Sequence, residues 1–356
     1  MTSDVEPQGT ETNPYTEFQS KKVLFIIALV VACVLVSIIS LSLGAYKMTA
    51  REVIEAVLGM GDRYSSVTIW RIRMPRILAA VLIGTSLAIA GSVMQCVLKN
   101  PLASPFTLGI SNAAALGAAI AIAMPYIGIF HGNFIGRFAS SMYGVSIMAF
   151  LFSMISVVIV ILFSRTSMAT SESMVLAGIA IGSIFSAALS SLQYFVDDST
   201  LASIVYWQFG DLTKATWNEL GLLFAVIVPV LIYFLYKRLD YNSMEAGEEV
   251  AMSLGIDTKK LTIVSMVLAS VVAAVSVSIV GIIGFIGLLG PHITRRLIGG
   301  DHRFLLPASA AMGALILLIS DFVGRALFIQ AIPVGIITSF LGGPLFLYIL
   351  IKKNKR

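Results

Sequence analysis

Few residues of this sequence could do chemistry, and they do not form a catalytic set. Asp321 is the one acidic residue within a clearly apolar stretch, and Arg325 follows it one helical turn later. We interpret the two as an internal ion pair near the outer surface, with a functional intramembrane carboxylate as the alternative. His131, His292 and His302 are too scattered to indicate a metal site, and no Ser/His/Asp or Cys/His arrangement stands out.

The sequence also lacks the loop with which many ATPases hold nucleotide. No Gly-x-x-x-x-Gly-Lys-[Ser/Thr] motif occurs, and no Gly-Lys pair is present anywhere. In Walker-type proteins the backbone and the lysine of this loop hold the phosphates. We therefore predict that the chain is not an enzyme and binds no cofactor of its own.

The composition places the chain in a membrane. Hydrophobic residues make up 58% and charged residues 12% of its 356 residues, and its mean hydropathy is +0.93. Most apolar stretches are about 18 to 24 residues long, the length at which a helix crosses a bilayer, and they do not alternate as barrel strands would. We predict an all-α polytopic membrane protein in which Cys33 and Cys96 are buried thiols within spans, without a disulfide framework.

About ten transmembrane helices are predicted, in a single domain at residues 21–356 that follows a disordered acidic tail at 1–20. The tail contains no Lys or Arg and so lacks the basic start of a signal peptide. A surface amphipathic helix is expected at Met48–Leu58. The predicted spans are Val23–Ala45, Ile77–Leu98, Thr107–Met124, Met142–Phe163, Ser173–Val196, Trp217–Tyr236, Leu261–Gly281, Ile283–Ile298, Phe304–Leu327 and Pro333–Ile351.

The basic residues indicate the orientation of these spans. With the amino terminus inside, 15 of the 24 Lys and Arg residues fall on the inner side, as the positive-inside rule requires. Both termini then lie in the cytoplasm, together with a charged segment at residues 237–260. The outer side keeps Arg71, Arg73 and Arg76 as one cluster, and Arg325 stands at the outer end of the ninth span.

The charged segment lies between two apolar spans and has helical signals of its own. Asn242 or Ser243 can cap a first turn, and Gly255 fits the left-handed position at which a helix ends. Acidic residues suit the amino-terminal end, and four residues at helical spacing form a small apolar face. These are Glu245, Glu248 and Glu249, and Gly247, Val250, Ala251 and Leu254. Such a helix is shaped to dock a soluble protein, and a solvated connector is the alternative.

A turn with two prolines separates the second and third spans. Pro101 and Pro105 prevent a continuous helix, and Asn100 or Ser104 can satisfy the backbone groups that are freed. The pattern predicts a rigid turn on the cytoplasmic side.

Glycines recur every third residue in the eighth span. Gly281, Gly284, Gly287 and Gly290 precede Pro291, and such a run cannot be a stable ordinary helix throughout. The pattern indicates either a broken helix at membrane depth or close helix packing through small residues.

The fifth span is rich in small residues, which alone most often form a helix-packing face. They are Gly178, Gly182, Ser183, Ser186, Ala187, Ser190 and Ser191.

The motifs of the chain occur in a recognisable order. They are RxPR, GxxMQ, NPLASPxxLGISNxA, GEExAxxLG, GxIGFIGLxxPHIxR, DHRxLLP and PVGIxTxxxGGPxFxYxL. This series closely resembles the permease subunits of the FecCD/BtuC type, the membrane components of ABC importers for iron chelates, haem and cobalamin. The resemblance covers nearly everything from Arg73 to Lys352, and the acidic tail lies outside it.

The resemblance implies a BtuC-like permease fold and a set of partners. A homodimer of the permease would work with two ABC ATPase subunits, which carry the ATP and Mg, and with an extracytoplasmic substrate-binding protein. Lipid surrounds the chain, and nucleic acid has no part. The cargo expected is an iron-siderophore-type chelate, with haem or cobalamin as the alternative.

The resemblance also implies roles for individual residues. The ATPase would dock on Glu245, Gly247, Glu248, Glu249, Ala251, Leu254 and Gly255, within the coupling loop at 237–260. The binding protein would contact Arg73, Arg76 and Arg325, for which lipid-phosphate anchoring is the alternative. The pathway and its gate would be Thr170, Ser171, Glu172, Ser173, Gly178, Gly182, Ser183, Ser186 and Ser190, although Glu172 stands where a smaller or neutral residue is expected. Asn100, Pro101, Pro105, Gly284, Gly287 and Pro291 match structural motifs.

Two other classes of protein fit the residues less well. A secondary transporter driven by protons or sodium would be expected to carry acidic or His residues in the middle of several spans, and only Asp321 offers itself. An intramembrane enzyme needs paired acids, a metal cluster or a nucleophile with a base, and none is visible in the sequence.

Overall fold

The computed structural model describes residues 14–43, 48–126, 133–164, 171–327 and 331–353. Every regular element in these ranges is helical. The sixteen α-helices are α1 Pro14–Ser42, α2 Ala50–Val57, α3 Arg63–Val67, α4 Met74–Val97, α5 Ile110–Ala123, α6 Phe134–Ala139, α7 Met142–Ser164, α8 Ser171–Phe195, α9 Asp198–Gln208, α10 Trp217–Tyr236, α11 Arg238–Ala246, α12 Glu248–Ser253, α13 Thr258–Val280, α14 Ile286–Ile298, α15 His302–Ala326 and α16 Val334–Lys353.

Each of the ten predicted spans coincides with one helix, so the all-α polytopic fold is confirmed. In chain order the helices are α1, α4, α5, α7, α8, α10, α13, α14, α15 and α16. Within the described ranges, seven of them are long and apolar enough to cross a membrane. The other three, α5, α14 and α16, are shorter or less apolar and complete the bundle. The predicted surface helix is also present as α2, and Thr49 and Glu52 cap it reciprocally.

Helices α1 and α9 depart from the sequence prediction in different ways. Helix α1 begins at Pro14, so residues 14–20 are helical and do not belong to a disordered tail; residues 1–13 lie outside the described part. Helix α9 was not predicted, because it has 11 residues and no apolar periodicity of its own. Its signal was the cap: Asp197 accepts hydrogen bonds from the N–H groups of Ser199 and Thr200 at 3.0 and 3.1 Å.

Helix α4 is the centre of the bundle and packs against α10, α13, α14 and α15. Most of its residues are buried. Glycines bring the backbones together: a Cβ added to Gly91 would lie 1.8 Å from the carbonyl oxygen of Gly287, and one added to Gly84 would lie 2.5 Å from that of Gly313. Small residues at such positions let membrane helices approach closely. The helix pairs α4–α14 and α4–α15 are therefore held in backbone contact.

The glycine run both breaks a helix and packs helices. Helix α13 ends at Val280, and α14 begins only at Ile286. In between, Gly281 has φ +81° and Phe285 has φ +67°, a conformation that L-residues rarely adopt. Gly287, in contrast, packs inside α14 against α4. Gly281 therefore lies at a break between helices, whereas Gly287 serves close helix packing. Helix α14 continues through Pro291.

The turn between α4 and α5 is ordered by its own side chains, as the sequence predicted. Asn100 Oδ1 accepts the N–H of Leu102 at 2.9 Å. The N–H of Ser104 donates to Thr107 Oγ1 at 3.2 Å, and Pro105 starts a short 3₁₀ turn. The two prolines therefore sit where no helical N–H is needed.

The backbone contact of Gly91 leads to a stability prediction. We expect Gly91→Ala to lower the unfolding free energy by about 3 kcal/mol, the upper end of the cost of overpacking, because a backbone carbonyl cannot rotate away as a side chain does. The measurement is unfolding in mixed micelles.

The matched control is Gly221→Ala in α10, where an added Cβ meets nothing within 4 Å. This change should leave stability equal or slightly raised, because Ala favours the helix over Gly. Equal effects at the two positions would show that the α4–α14 contact is loose.

Candidate functional site

The charged segment forms two helices at one end of the bundle. Helix α11 follows α10 with only Lys237 between them, and Gly247 at φ +134° separates α11 from α12. After α12, the N–H of Ile256 donates to the carbonyl of Ala251 at 3.0 Å and that of Gly255 to the carbonyl of Met252 at 2.9 Å. With Gly255 at φ +81°, this is a Schellman ending. The predicted stop at Gly255 is therefore confirmed.

The predicted caps of this segment are wrong. Asn242 and Ser243 lie in the middle of α11, because that helix already starts at Arg238, directly behind the span. Asn242 uses its side chain elsewhere: its Nδ2 donates to Asp301 Oδ1 at 2.9 Å, and its Oδ1 accepts the N–H of His302 at 2.7 Å. It therefore joins α11 to the start of α15.

The apolar face of α12 is divided between the core and the surface. Ala251 is fully buried, whereas Val250 is 44%, Met252 53% and Leu254 65% exposed. Together with the exposed Glu249, these three apolar side chains form what we call the exposed patch. A short helix that presents three large apolar side chains and one acid to solvent can bind a protein surface.

An ion pair fastens α12 to the end of α4. Lys99 Nζ lies 3.1 Å from Glu248 Oε2, and Thr258 Oγ1 donates to Glu248 Oε1 at 3.1 Å. The hydrogen bonds from Lys99 and Thr258 hold the pKa of the Glu248 carboxyl below its ordinary value. A lowered pKa means that the contact contributes fully above the ordinary pKa of Glu and is lost as the pH falls through the lowered value. At neutral pH the pair is therefore formed.

Three further contacts tie α11 to the bundle. The hydroxyls of Tyr241 and Ser265 lie 2.8 Å apart in the core. Cys96 Sγ donates to the carbonyl of Tyr241 at 3.4 Å, and Glu245 pairs with Arg295 of α14. These partners could not be predicted from the sequence, because the contacts join residues far apart in the chain. The charged segment is thus attached to α4, α13, α14 and α15 at once.

At the opposite end of α4, one carboxylate holds two arginines. Asp321 lies 2.7 Å from Arg76 Nε and 2.9 Å from Arg325 Nη2, so the predicted Asp321–Arg325 pair is present. The side chains of Arg76, Asp321 and Arg325 are 9%, 1% and 11% exposed. Arg325 also donates to Ser40, and Arg73 to the carbonyl of Leu41. We call this group the Asp321 cluster; it joins α1, α4 and α15.

The Asp321 cluster corrects one expectation about the outer arginines. Arg73 and Arg76 were expected as free rim charges for a binding protein, with Arg325. The structure buries Arg73 against the carbonyl of Leu41 and pairs Arg76 and Arg325 with Asp321, because a buried charge needs a counter-charge. Arg63 and Arg71 remain exposed at this end.

The residues expected to line a pathway on α8 fall on two sides of the helix. Gly178 and Gly182 face inward: a Cβ on Gly178 would lie 2.2 Å from the carbonyl of Thr107, and Asn112 Nδ2 donates to the carbonyl of Gly182 at 3.0 Å. The remaining expected residues are exposed or half-buried in the single chain. These are Glu172, Ser183 and Ser190, which are exposed, and Ser173 and Ser186, which are half-buried. Thr170 and the side chain of Ser171 lie outside the described residues.

One group of possible metal ligands comes together beside the charged segment. Ligand atoms of Cys96, Glu245 and His302 all lie within 4.8 Å of one another. His131 lies outside the described residues, and His302 meets ligands of two other types. Sequence reasoning missed this group because its members come from α4, α11 and α15.

Comparison with known proteins places these features in a family. The sequence model of the FecCD transport family matches residues 30–352. A protein of Methanocaldococcus jannaschii, described as an ABC transporter permease, is 49% identical over 96% of this chain and 98% of its own length. A hemin transport system permease of Yersinia pestis is 35% identical over 81% of this chain and 84% of its own length.

Two further similarities agree with that match. An Fe(3+)-citrate import system permease of Bacillus subtilis is 35% identical over 94% of this chain and 97% of its own length. A solved structure, described as an inward-facing conformation of a metal-chelate type ABC transporter, superposes with a TM-score of 0.80 at 31% identity. It covers 92% of this chain and 98% of the solved one.

The Asp321 cluster leads to a prediction for stability. We expect Asp321→Asn to lower the unfolding free energy by about 3–5 kcal/mol, because it leaves two arginines at membrane depth without a counter-charge. The measurement is unfolding in mixed micelles.

A matched control is Glu55→Gln, which breaks the Arg51–Glu55 pair whose side chains are 87% and 38% exposed. Exposed pairs contribute little, so the loss should stay within about 1 kcal/mol. If both substitutions cost the same small amount, the Asp321 cluster does not hold the helices together.

Proposed function

We propose, from the premise that this chain belongs to the FecCD transport family and is an ABC importer permease, that its cargo is an iron chelate of the siderophore type. The Fe(3+)-citrate and hemin permeases among its relatives support an iron-containing cargo. Vitamin B12 permeases are also among the relatives, so haem and cobalamin are the alternatives within the family.

The exposed patch is the observation that carries the proposed mechanism. Its apolar side chains are largely exposed in the chain, yet the helix that carries them is attached to the bundle through the buried Ala251 and through Glu248, which contacts Lys99 and Thr258. A surface whose side chains are exposed to a partner and whose helix is held by the bundle suits a partner that must transmit force to the spans. We assign the patch to an ABC ATPase subunit, which binds ATP and Mg²⁺, while this chain performs no catalysis.

In this mechanism the charged segment passes the movement of the ATPase to the spans. ATP binding and hydrolysis shift the patch, and the contacts of α11 and α12 carry the shift to α4, α13, α14 and α15. The excess of basic residues on one side of the spans supports a cytoplasmic location for both termini and the charged segment. Asp321, which lies within a predicted span, is paired with two arginines and is therefore not free to act as a proton or sodium relay.

A second copy of the chain completes the transport path in this proposal. Only 17% of the most apolar window of α8 is buried in the single chain, and small polar residues such as Ser183 and Ser190 lie on its exposed side. Two copies that face each other through α8 would enclose a path with small, mostly neutral walls, with Glu172 at one end. Such walls suit a bulky chelate because they offer it no tight binding site.

The binding protein is assigned to the end of the bundle that carries the Asp321 cluster. Since Arg73, Arg76 and Arg325 are engaged inside the bundle, exposed basic residues such as Arg63 and Arg71 are candidates for contact with an acidic partner surface. Rim charges of this kind contribute to the association rate and to orientation more than to affinity.

The first test concerns the exposed patch. Leu254→Asp should abolish co-purification of the chain with its ATPase and remove ATP hydrolysis stimulated by loaded binding protein. The stability of the chain itself should change by less than about 0.5 kcal/mol, because Leu254 is a surface residue.

The control is Met60→Asp, which changes an apolar residue that is 69% exposed at the other end of the bundle. It should leave ATPase binding intact. Loss of ATPase binding in both variants, or in neither, would overturn the assignment of the patch.

The second test concerns the cargo and the energy source. Proteoliposomes that contain the chain, its ATPase and its binding protein should take up a ferric siderophore in an ATP-dependent manner, in preference to hemin and cobalamin. A preference for hemin or cobalamin would contradict the proposed siderophore cargo but would leave the importer mechanism standing. Uptake driven by a proton or sodium gradient without the ATPase would contradict the mechanism.

A further inference from the structure

A buried histidine nitrogen beside the charged segment has no hydrogen-bond partner in the described structure. It is Nε2 of His302, the first residue of α15, whose side chain is fully buried. Buried polar atoms almost always have a hydrogen-bond partner, so an unpaired buried nitrogen indicates a binding role or a missing partner. Next to it lie the thiol of Cys96, at the end of α4, and the carboxylate of Glu245, near the end of α11, with ligand atoms all within 4.8 Å of one another.

A chain of hydrogen bonds determines which ring nitrogen of His302 carries the proton. The carboxylate of Asp301 can only accept hydrogen bonds, and Nδ2 of Asn242 donates one to its Oδ1 at 2.9 Å. Asn242 therefore presents Oδ1 to His302, where it lies 3.1 Å from Nδ1. An amide oxygen also only accepts, so Nδ1 must be the protonated nitrogen, and Nε2 keeps a free lone pair.

This arrangement is the one found around metal-binding histidines. A histidine ligand commonly donates its second ring N–H to an oxygen acceptor, which fixes both the tautomer and the ring orientation. Here Asn242 is that acceptor, and Asp301 fixes Asn242. The ring of His302 also packs at 5.8 Å from that of Tyr241. His302 is thus held by Asn242 and Tyr241 in the core, and its Nε2 lone pair has no hydrogen-bond donor among the described residues.

We propose that Cys96, Glu245 and His302 bind a borderline divalent transition-metal ion of the Zn²⁺ type. One thiolate, one imidazole and one carboxylate are the ligand types that Zn²⁺ takes in proteins, and a fourth position is left for water. Zn²⁺ ligands lie about 2.0–2.3 Å from the ion, so the ligand atoms need to approach by only about 1 Å.

The charges around the site can accommodate such an ion. Arg295 pairs with Glu245, but a carboxylate has two oxygens, so one can keep the arginine while the other binds the metal. Cys96 now donates its proton to the Tyr241 carbonyl, and metal binding would release that proton to solvent. Lys99 and Arg303 are engaged by Glu248 and Asp301.

A bound ion would join the charged segment to two spans. Its ligands come from α4, α11 and α15, so occupancy would add a link to the junction through which the proposed ATPase acts. This consequence rests on the proposed function, whereas the metal site itself does not. Its test requires no transport, so failure of either proposal can be recognised separately.

The test is metal binding by the full-length chain, purified without metal in detergent. Co²⁺ serves as a coloured probe, with Zn²⁺ as competitor. We expect one Co²⁺ per chain, with a thiolate-to-cobalt absorption band that Zn²⁺ removes, and a Zn²⁺-dependent rise in the unfolding temperature. Cys96→Ala should abolish the band, and Glu245→Gln, at a partly exposed position, should weaken binding at least about tenfold.

The matched controls are Cys33→Ala, which removes the other thiol, and His292→Gln, which changes a histidine outside the site. Both should bind Co²⁺ as the original chain does. Absence of the thiolate band in the original chain would overturn the proposal, as would an unchanged band in Cys96→Ala or loss of the band in Cys33→Ala. If Cys96→Ala fails to fold, the affinity of Glu245→Gln decides.

Discussion

Backbone contact between helices in a lipid environment is the constraint on which the structure depends. Lipid tails are as apolar as the side chains of α4, so burial from water does not bring membrane helices together, and close packing must. Gly91 against Gly287, and Gly84 against Gly313, remove the side chains that would keep α4 away from α14 and α15. With α4 fixed in this way, each of its ends becomes a fixed point for a different polar site.

The two polar sites share that helix and differ in their chemistry. At one end Asp321 neutralises Arg76 and Arg325 within the bundle, which binds α1, α4 and α15 into one scaffold. At the other end Lys99, just beyond α4, holds Glu248 of α12. The first site is buried and resists change, whereas the second supports a surface with free apolar side chains. A permease that is moved by a separate ATPase requires a rigid scaffold and an exposed docking surface such as the exposed patch.

The sequence revealed the local features and missed the distant ones. Trp217–Tyr236 was predicted with the boundaries that the structure shows, and the stop at Gly255 and the break after Gly281 follow from the conformational freedom of glycine. Periodicity says which residues form a helix, but not which helix lies beside it. The pairing of Arg76 with Asp321, 245 residues later, therefore could not be inferred, and Arg76 was assigned to the surface. The meeting of Cys96 and His302 was hidden for the same reason.

The account depends on the charged segment moving together with α4, and one measurement tests this directly. In a chain whose Cys33 and Cys96 are replaced by serine, Lys99→Cys and Glu248→Cys would be joined by a short bis-thiol crosslinker, since the two native side chains meet at 3.1 Å. The reconstituted importer would then be assayed for ATP-driven uptake and ATP hydrolysis. If the segment and α4 move as one body, the crosslinked importer keeps both activities. Retained ATPase binding with uptake lost on crosslinking would show that the two move relative to each other, and would contradict the account.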